Sequence, residues 1–352
     1  MKALAEHLGL GQGTVSRALN GYPDISEATR TRVREAADAM GYRANPIARR
    51  LAMGTSETVA YLMSPGDHLG EPFTAQLLAG IAEALSPRGW DLQVVVMDDE
   101  DAGAAVDRLV LSGRVGGVIL SRVRRSDARI DSLKRSGMPF VAHGRTSDPS
   151  DYAWFDIDGQ RAFRDAVDHL VGLGHGRIAF VGGPSYFTFS HARREGFLEG
   201  CRDNGIAFDP VLDLECALTD ADAERVVGDC LDGTGDGRPT AIVCTTDTQA
   251  LGALAACRAR GLVPGEDISV IGYDGLHWGR HADPPLTTMA QPQGDAGRRL
   301  GEMLLALVDG EDPRATQELR RAQLVRRKSD GPAPRRMPHG PLAKSSTREE
   351  TT

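Results

Sequence analysis

From Thr58 onward the chain repeats one pattern, a short apolar run followed by a stretch with helical apolar spacing, and this constrains the fold more than any other feature. The runs TVAYLMS (58–64), LQVVVMD (92–98), GGVILS (116–121) and PFVAHG (139–144) are separated by helical stretches at 75–87, 102–112 and 127–136. Trp154–Ile157, RIAFVGG (177–183), AIVCTT (241–246) and ISVIGYD (268–274) continue the series, with helices at 160–172, 190–204 and 248–260. Short runs that stay apolar without alternating mark strands buried on both faces. Strands that alternate with helices build parallel, doubly wound sheets with helices on either side. Two similar halves of such a pattern predict two subdomains with a cleft between them.

The first 54 residues have a different texture. They carry eight Lys/Arg against five Asp/Glu, a net charge of +3 in a chain whose total is −8. A small basic head on an acidic body suits a nucleic-acid module joined to a sensor. Within it, Leu4, Ala5 and Leu8 recur at helical spacing, Gly9 and Gly11 interrupt, and Val15 and Leu19 restart the period. A second helix opening at Gln12 would bury Val15 and Leu19 and turn Gln12, Gly13 and Arg17 outward, as a recognition helix does. Thr14, Ser16 and Asn20 are short donors suited to phosphate oxygens. Ser26 and Glu27 open a third helix whose stripe is Val33, Ala36, Ala37 and Met40. NPIARRLAMG (45–54) is helical in pattern but short, which makes it a conditional hinge helix.

The segmentation predicted from these textures is a headpiece over 1–44, a hinge over 45–56 and a sensor over 57–328. Within the sensor, one subdomain takes about 57–155 and 287–314, and the other about 156–286 and 315–328. Residues 329–352 are polar and proline-rich and are predicted to be a disordered tail. No apolar run reaches the roughly 18 residues of a membrane span, and MKALAEHLG lacks a signal-peptide core, so a cytoplasmic protein is expected. Five cysteines without metal spacing read as reduced, mostly buried thiols.

Several separate motifs carry a resemblance: TVSRALNG (14–21), SEATRTRV (26–33), GYRANPIARRLA (41–52), LGHGRIAFVGG (173–183), ARREGF (192–197), TDTQALGAL (246–254), DISVIGYD (267–274) and DPPLTTMAQP (283–292). Together they resemble the lactose repressor (LacI/GalR) family of bacterial transcription regulators over about 330 residues. Within it, HGRTSDPSDYAWFDIDG (143–159) looks most like α-glucoside operon repressors. The resemblance implies an all-α helix-turn-helix headpiece, a hinge helix and an α/β, periplasmic-binding-protein-like sensor. It implies a homodimer on double-stranded operator DNA, controlled by a small-molecule effector and using no cofactor. It assigns Gln12, Gly13 and Arg17 to the major groove, and Thr14, Ser16, Asn20, Ser26, Thr29, Tyr42 and Asn45 to the DNA backbone. Ala48 and Leu51 fall at minor-groove positions, where a pair of leucines would wedge a base step. In the sensor it assigns effector contacts to Phe73, His143, Arg145, Asp156, Arg193, Thr246, Asp247 and Asp274, with Gln291 nearby.

Two departures from the pattern stand out. The chain begins inside the opening turn of the first helix, so either the start lies upstream or that helix frays. Gly11 replaces the commoner serine cap of the recognition helix, at a cost of a few tenths of a kcal/mol, and Gly13 offers no side chain to a base. Carboxylates and an arginine beside aromatic faces suit a sugar, with Asp247, Asp274 and Arg193 supplying the first and Phe73, Tyr186, Phe187, Phe189 and Trp278 the second. A nucleobase or a phosphorylated ligand on Arg145 and Arg193 is the alternative effector, and a sugar-binding transport protein is the rival class. No catalytic or metal site is expected. Asp274, His277 and His281 are not spaced as ligands on a helix, Ser190–His191 is not a triad, and GGPSYFTFS (182–190) lacks the lysine of a phosphate loop.

Overall fold

The computed structural model describes residues 1–19, 22, 24–42, 56–64, 72–98, 100–233 and 237–334. The chain divides into two compact units, Met1–Glu57 and the remainder from Thr58. The first holds α1 (Lys2–Leu8), α2 (Gln12–Leu19) and α3 (Glu27–Ala39). Helix α1 stops at Gly9, whose φ of 63° lies in the left-handed region open to glycine. Ser26 caps α3 by accepting from the Thr29 backbone N–H at 3.3 Å. Arg32 reaches from α3 to donate to the Leu8 carbonyl at 2.7 Å, which satisfies one of the open carbonyls at the end of α1. Leu4, Leu8, Val15, Ala18, Ile25 and Val33 form the core of this unit. Ala18 fills the buried place expected for Leu19, which is only half-buried.

The second unit contains two six-stranded sheets. The first lobe is built on β1 (Thr58–Met63), β2 (Asp91–Val96), β3 (Gly117–Leu120), β4 (Phe140–His143), β5 (Ala153–Ile157) and β11 (Gln317–Arg320), in the order β11-β5-β4-β3-β1-β2. The second is built on β6 (Ile178–Gly182), β7 (Asp213–Glu215), β8 (Ala241–Cys244), β9 (Ser269–Asp274), β10 (Thr287–Ala290) and β12 (Gln323–Val325), in the order β12-β10-β9-β8-β6-β7. Among the described residues these strands pair in parallel, except β10 with β12. Helices α4 (Pro72–Leu85), α5 (Ala102–Leu111), α6 (Ala128–Ser136) and α11 (Gln293–Val308) flank the first sheet. Helices α7 (Gly159–Gly172), α8 (Thr188–Asp203), α9 (Asp220–Gly233) and α10 (Asp247–Arg258) flank the second.

The two-residue side-chain period of a strand explains this layering. On β1, Val59, Tyr61 and Met63 pack with Leu77 and Ile81 of α4 and Leu300 of α11. Ala60 and Leu62 point to the opposite face, toward Val106 of α5 and Leu133 of α6. Every residue of β1 is therefore buried. The same division occurs on β6, where Ile178 and Phe180 meet α7 and α8 while Ala179 and Val181 meet α9 and α10.

Strand pairing corrects the expected subdomain limits. Thr287–Ala290 pairs with Ile271–Asp274, so this segment belongs to the second lobe rather than the first. Gln317–Arg320 pairs with Trp154–Ile157 and belongs to the first lobe rather than the second. The chain therefore passes between the lobes three times, at residue 158, at 291–292 and at 321–322. The tail expectation also needs correcting at its start. Ser329, Asp330 and Gly331 are buried, because the Ser329 hydroxyl donates to the Val270 carbonyl, Asp330 accepts from Thr287 and lies 2.7 Å from His169 Nε2, and the Gly331 N–H donates to Ser269. The rest of that segment from residue 335 lies outside the described residues.

All five cysteines are free, and burial pushes the Cys201 and Cys216 thiols up to about 11. Close helix packing leads to a testable contrast in stability. A Cβ added at Gly196 on α8 would overlap the backbone carbonyl of Gln160, whereas one at Gly172, the last residue of α7, meets open space. Gly196→Ala should cost about 1–3 kcal/mol, and Gly172→Ala should be neutral or stabilise by up to about 1 kcal/mol. Chemical denaturation monitored by circular dichroism measures both; equal effects from the two variants would contradict the packing described.

Candidate effector cleft and DNA-facing helix

On the first unit, Gln12, Gly13 and Arg17 are exposed on α2, and Thr14 and Ser16 are half-buried at its flanks. Arg17 pairs with Asp24 at 3.0 Å, and both side chains are about half exposed. Such a surface pair is worth at most about 1 kcal/mol, so it orients the guanidinium without committing it. Ser26 and Thr29 hydrogen-bond each other at 2.8 Å at the start of α3, and Tyr42 packs at the edge of the headpiece core. Asn20, Asn45, Ala48 and Leu51 lie outside the described residues.

On the second unit, a cavity of about 280 Å³ opens between the lobes at the carboxyl ends of their strands. This is where ligands bind in open α/β sheets. The cleft is lined by Phe73, His143, Arg145, Asp156, Arg193, Thr246, Asp274 and Gln291, eight of the nine positions expected for an effector. Phe73, at the start of α4, stacks on His143 at the end of β4 with ring centroids 5.8 Å apart. Arg145 Nε donates to Asp156 Oδ2 at 2.8 Å, and its guanidinium also lies 5.1 Å from the Trp154 ring. Burial pushes the Asp156 carboxyl up, and Arg145 opposes that shift.

From the other lobe, Arg193 of α8 is nearly buried. Its guanidinium carbon sits 3.8 Å from the centroid of Tyr273 and 4.7 Å from that of Phe189, and Nη1 donates to the Thr245 carbonyl at 2.6 Å. Asp274 ends β9 with φ at 120°, a conformation unusual for a residue with a Cβ. Gln291 donates to its carboxylate at 2.6 Å and Gln293 to its carbonyl at 2.7 Å, and these bonds offset the backbone strain. Thr246 caps α10 by accepting from the Gln249 N–H at 3.1 Å.

Asp247 is the exception, and its role needs correcting. It is fully buried and does not line the cavity. Its carboxylate accepts from the Leu276 N–H and the Thr288 hydroxyl, each at 2.6 Å, and so fastens the 276 loop and β10 to the start of α10. Burial, and secondarily the neighbouring Asp274, push its carboxyl up to about 7. It braces the wall of the cleft from behind Thr246. Among the aromatic candidates, Phe189 lines the cavity; Tyr186 and Trp278 are more than half exposed and do not.

The cleft also contains residues that pattern reading missed: Ser121 and Arg122 after β3, Thr188 at the start of α8, Thr248 and Leu276. Ser121 and Arg122 follow the strand GGVILS directly, and polar residues just past a buried strand's carboxyl end were the available signal. His277 and His281 place their Nε2 atoms 3.2 Å apart, and among the described residues no group of three side chains is arranged to hold a metal.

Residues 1–45 match the family described as bacterial regulatory proteins, lacI family, and residues 167–329 match the periplasmic binding protein-like domain. The transcriptional regulator AglR of Rhizobium meliloti (strain 1021) is 38% identical over 96% of this chain and 96% of its own. CelR of Thermobifida fusca is 32% identical over 94% of this chain and 97% of its own. Among solved structures, a CelR–cellobiose complex superposes with a TM-score of 0.73 at 29% identity, covering 93% of this chain and 98% of that one. The lac repressor dimer bound to operator and an anti-inducer superposes with a TM-score of 0.80 at 27% identity, again over 93% and 98%.

The cleft gives a pH prediction. Burial, helped by the positive charge of Arg193, lowers the His143 imidazole from 6.5 to about 4. A histidine held neutral in the fold but protonated when unfolded stabilises the fold above its unfolded value, and that stability is lost as pH falls from about 6.5 toward about 4. His143→Gln should flatten this part of the profile, read as the difference in urea midpoint between pH 7 and pH 5; an unchanged slope would contradict the assignment.

Proposed function

The chain belongs to the lacI family of bacterial regulatory proteins, and we propose that its cleft binds a neutral sugar, with an α-glucoside as the class favoured by residues 143–159. The protein is a ligand-responsive DNA-binding transcriptional repressor. The reading of the effector rests chiefly on one observation: Asp156 faces the cleft from the first lobe and Asp274 from the second, each held by a side-chain donor, with the Phe73 face between polar walls. Two fixed carboxylates suit vicinal hydroxyls, and an aromatic face suits the C–H side of a pyranose. A strongly anionic ligand would meet both carboxylates, and Arg145 is already paired with one of them. The nucleobase and sugar-phosphate readings are therefore placed second.

In this reading Gln12 and Arg17 read base edges in the major groove, Gly13 lets the helix approach closely, and Thr14, Ser16, Asn20, Ser26, Thr29, Tyr42 and Asn45 hold the phosphates. Ala48 and Leu51 enter the minor groove from a hinge over 45–56, between a headpiece over 1–44 and the sensor. A two-fold dimer doubles the base pairs read and matches a near-palindromic operator. Among the described residues no helix is long and apolar enough to cross a membrane, and we assign the protein to the cytoplasm, where it binds its effector without transforming it.

Two experiments test this. In calorimetric titration of the full chain against maltose, trehalose, cellobiose, adenosine and glucose 6-phosphate, a neutral glucoside should bind and Asp274→Asn should remove that binding. Binding of only adenosine or only the phosphate would overturn the sugar reading. Leu51→Ala should weaken operator binding in band shifts by at least tenfold while leaving the sugar titration unchanged. Parallel loss of both activities would mean that the variant is misfolded, and no loss of operator binding would remove the leucine from the groove.

A further inference from the structure

The start of α8 contains three buried polar atoms that the protein itself leaves without hydrogen bonds: Thr188 Oγ1, Ser190 Oγ and Arg193 Nε. Thr188 and Arg193 line the cleft, whereas Ser190 does not. Buried polar groups are almost always bonded, and one left open at a binding site marks a position that a ligand completes. Arg193 is 8% exposed and otherwise well held, by the Thr245 carbonyl and two aromatic faces, so its free Nε is not a consequence of a loose side chain. Thr188 is held from the opposite lobe. Its backbone N–H donates to the Val123 carbonyl at 3.0 Å, and next to it Arg124 and Phe187 form an antiparallel bridge. The Arg124 guanidinium lies over the Tyr186 ring at 5.2 Å. The 121–125 segment that makes this strap is itself anchored, because Asp127 and Arg129, both buried, pair at 2.7 Å and Arg129 donates to the Ser121 carbonyl at 3.2 Å.

We propose that the Thr188 hydroxyl is a specificity-determining contact of the cleft, which bonds a sugar hydroxyl together with Arg193 Nε and is aimed by the Val123 carbonyl only when the two lobes meet. This rests on the sugar reading above and extends it to a residue outside the expected set. A hydroxyl can both donate and accept, so it fits a neutral polyol, whereas Arg193 Nε can only donate. Because the contact depends on the strap, recognition at this point occurs in the closed arrangement and favours it over the open one.

The orphaned state of the hydroxyl makes the test discriminating. Thr188→Val keeps the shape and removes the hydroxyl, and Thr188→Ser keeps the hydroxyl. In the sugar-free full chain, Thr188→Val should melt at the wild-type temperature or above it, since no protein hydrogen bond is lost and a buried unpaired group is removed. Titrated with maltose, trehalose and cellobiose, it should bind the sugar that the wild type accepts roughly three- to tenfold more weakly, with Thr188→Ser near wild type. A lower melting temperature for sugar-free Thr188→Val would show that the hydroxyl is bonded within the fold and would overturn the proposal. Equal sugar affinity in wild type and Thr188→Val would overturn it while leaving the sugar reading intact. A wild-type protein that binds none of the three sugars would overturn both.

Discussion

The chain passes between its two sheets three times, and the cleft depends on that constraint. After β5 it crosses at Asp158, after β10 at Gln291–Pro292, and after β11 at Arg321–Ala322. The first and third crossings are tied to each other, the Asp158 N–H donating to the Arg320 carbonyl at 2.7 Å, and the second is fastened to the end of β9, where Gln291 and Gln293 donate to Asp274. Three parallel connections resist twisting more than one would, yet each is a few residues of backbone able to absorb a hinge rotation. The lobes also meet through the 121–125 and 186–188 segments, with backbone hydrogen bonds of 3.0 and 3.4 Å rather than covalent continuity. A ligand bound between the carboxylates of both lobes therefore acts on one soft coordinate, the angle between the sheets.

The walls that move are rigid inside, and the polar groups divide accordingly. Asp247 is fully buried and takes two 2.6 Å hydrogen bonds from neighbouring segments, so it belongs to the frame of the second lobe. The Asp127–Arg129 pair does the same for the first lobe, beneath the strap. By contrast, the Arg145–Asp156 pair remains accessible from the cavity, with side chains 31% and 21% exposed, so a ligand can compete for its hydrogen bonds. Breaking a buried pair costs several kcal/mol, whereas re-partnering a half-exposed one costs little. Groups that can exchange partners thus line the cavity, above a layer that cannot.

Much of this was legible from residue order. Strands buried on both faces left unbroken apolar runs, and RIAFVGG and ISVIGYD became β6 and β9. The family resemblance assigns Arg193 and Asp274 to the effector site, and both line the cleft. What escaped depended on distant pairing. Thr287–Ala290 and Gln317–Arg320 exchange lobes relative to expectation because a strand's partner is chosen across the sheet, which local periodicity does not encode. Asp247 sits one residue from cleft-lining Thr246, yet the helical turn at α10 rotates its carboxylate inward. Ser329–Gly331 looked like a polar tail, but His169, His175 and Ser269 supply the partners that allow it to be buried. Thr188 gave no signal, since a threonine at a helix start usually reads as a cap.

The central claim is that the cleft and the DNA-facing helix are energetically linked, and linkage is reciprocal. The most direct measurement is a pair of titrations on the full chain: operator affinity with and without a saturating sugar that binds the cleft, and affinity for that sugar with and without operator. The account predicts that the sugar changes operator affinity by roughly 5- to 150-fold and that operator changes sugar affinity by the same factor. A sugar that binds tightly and leaves operator affinity unchanged would contradict it.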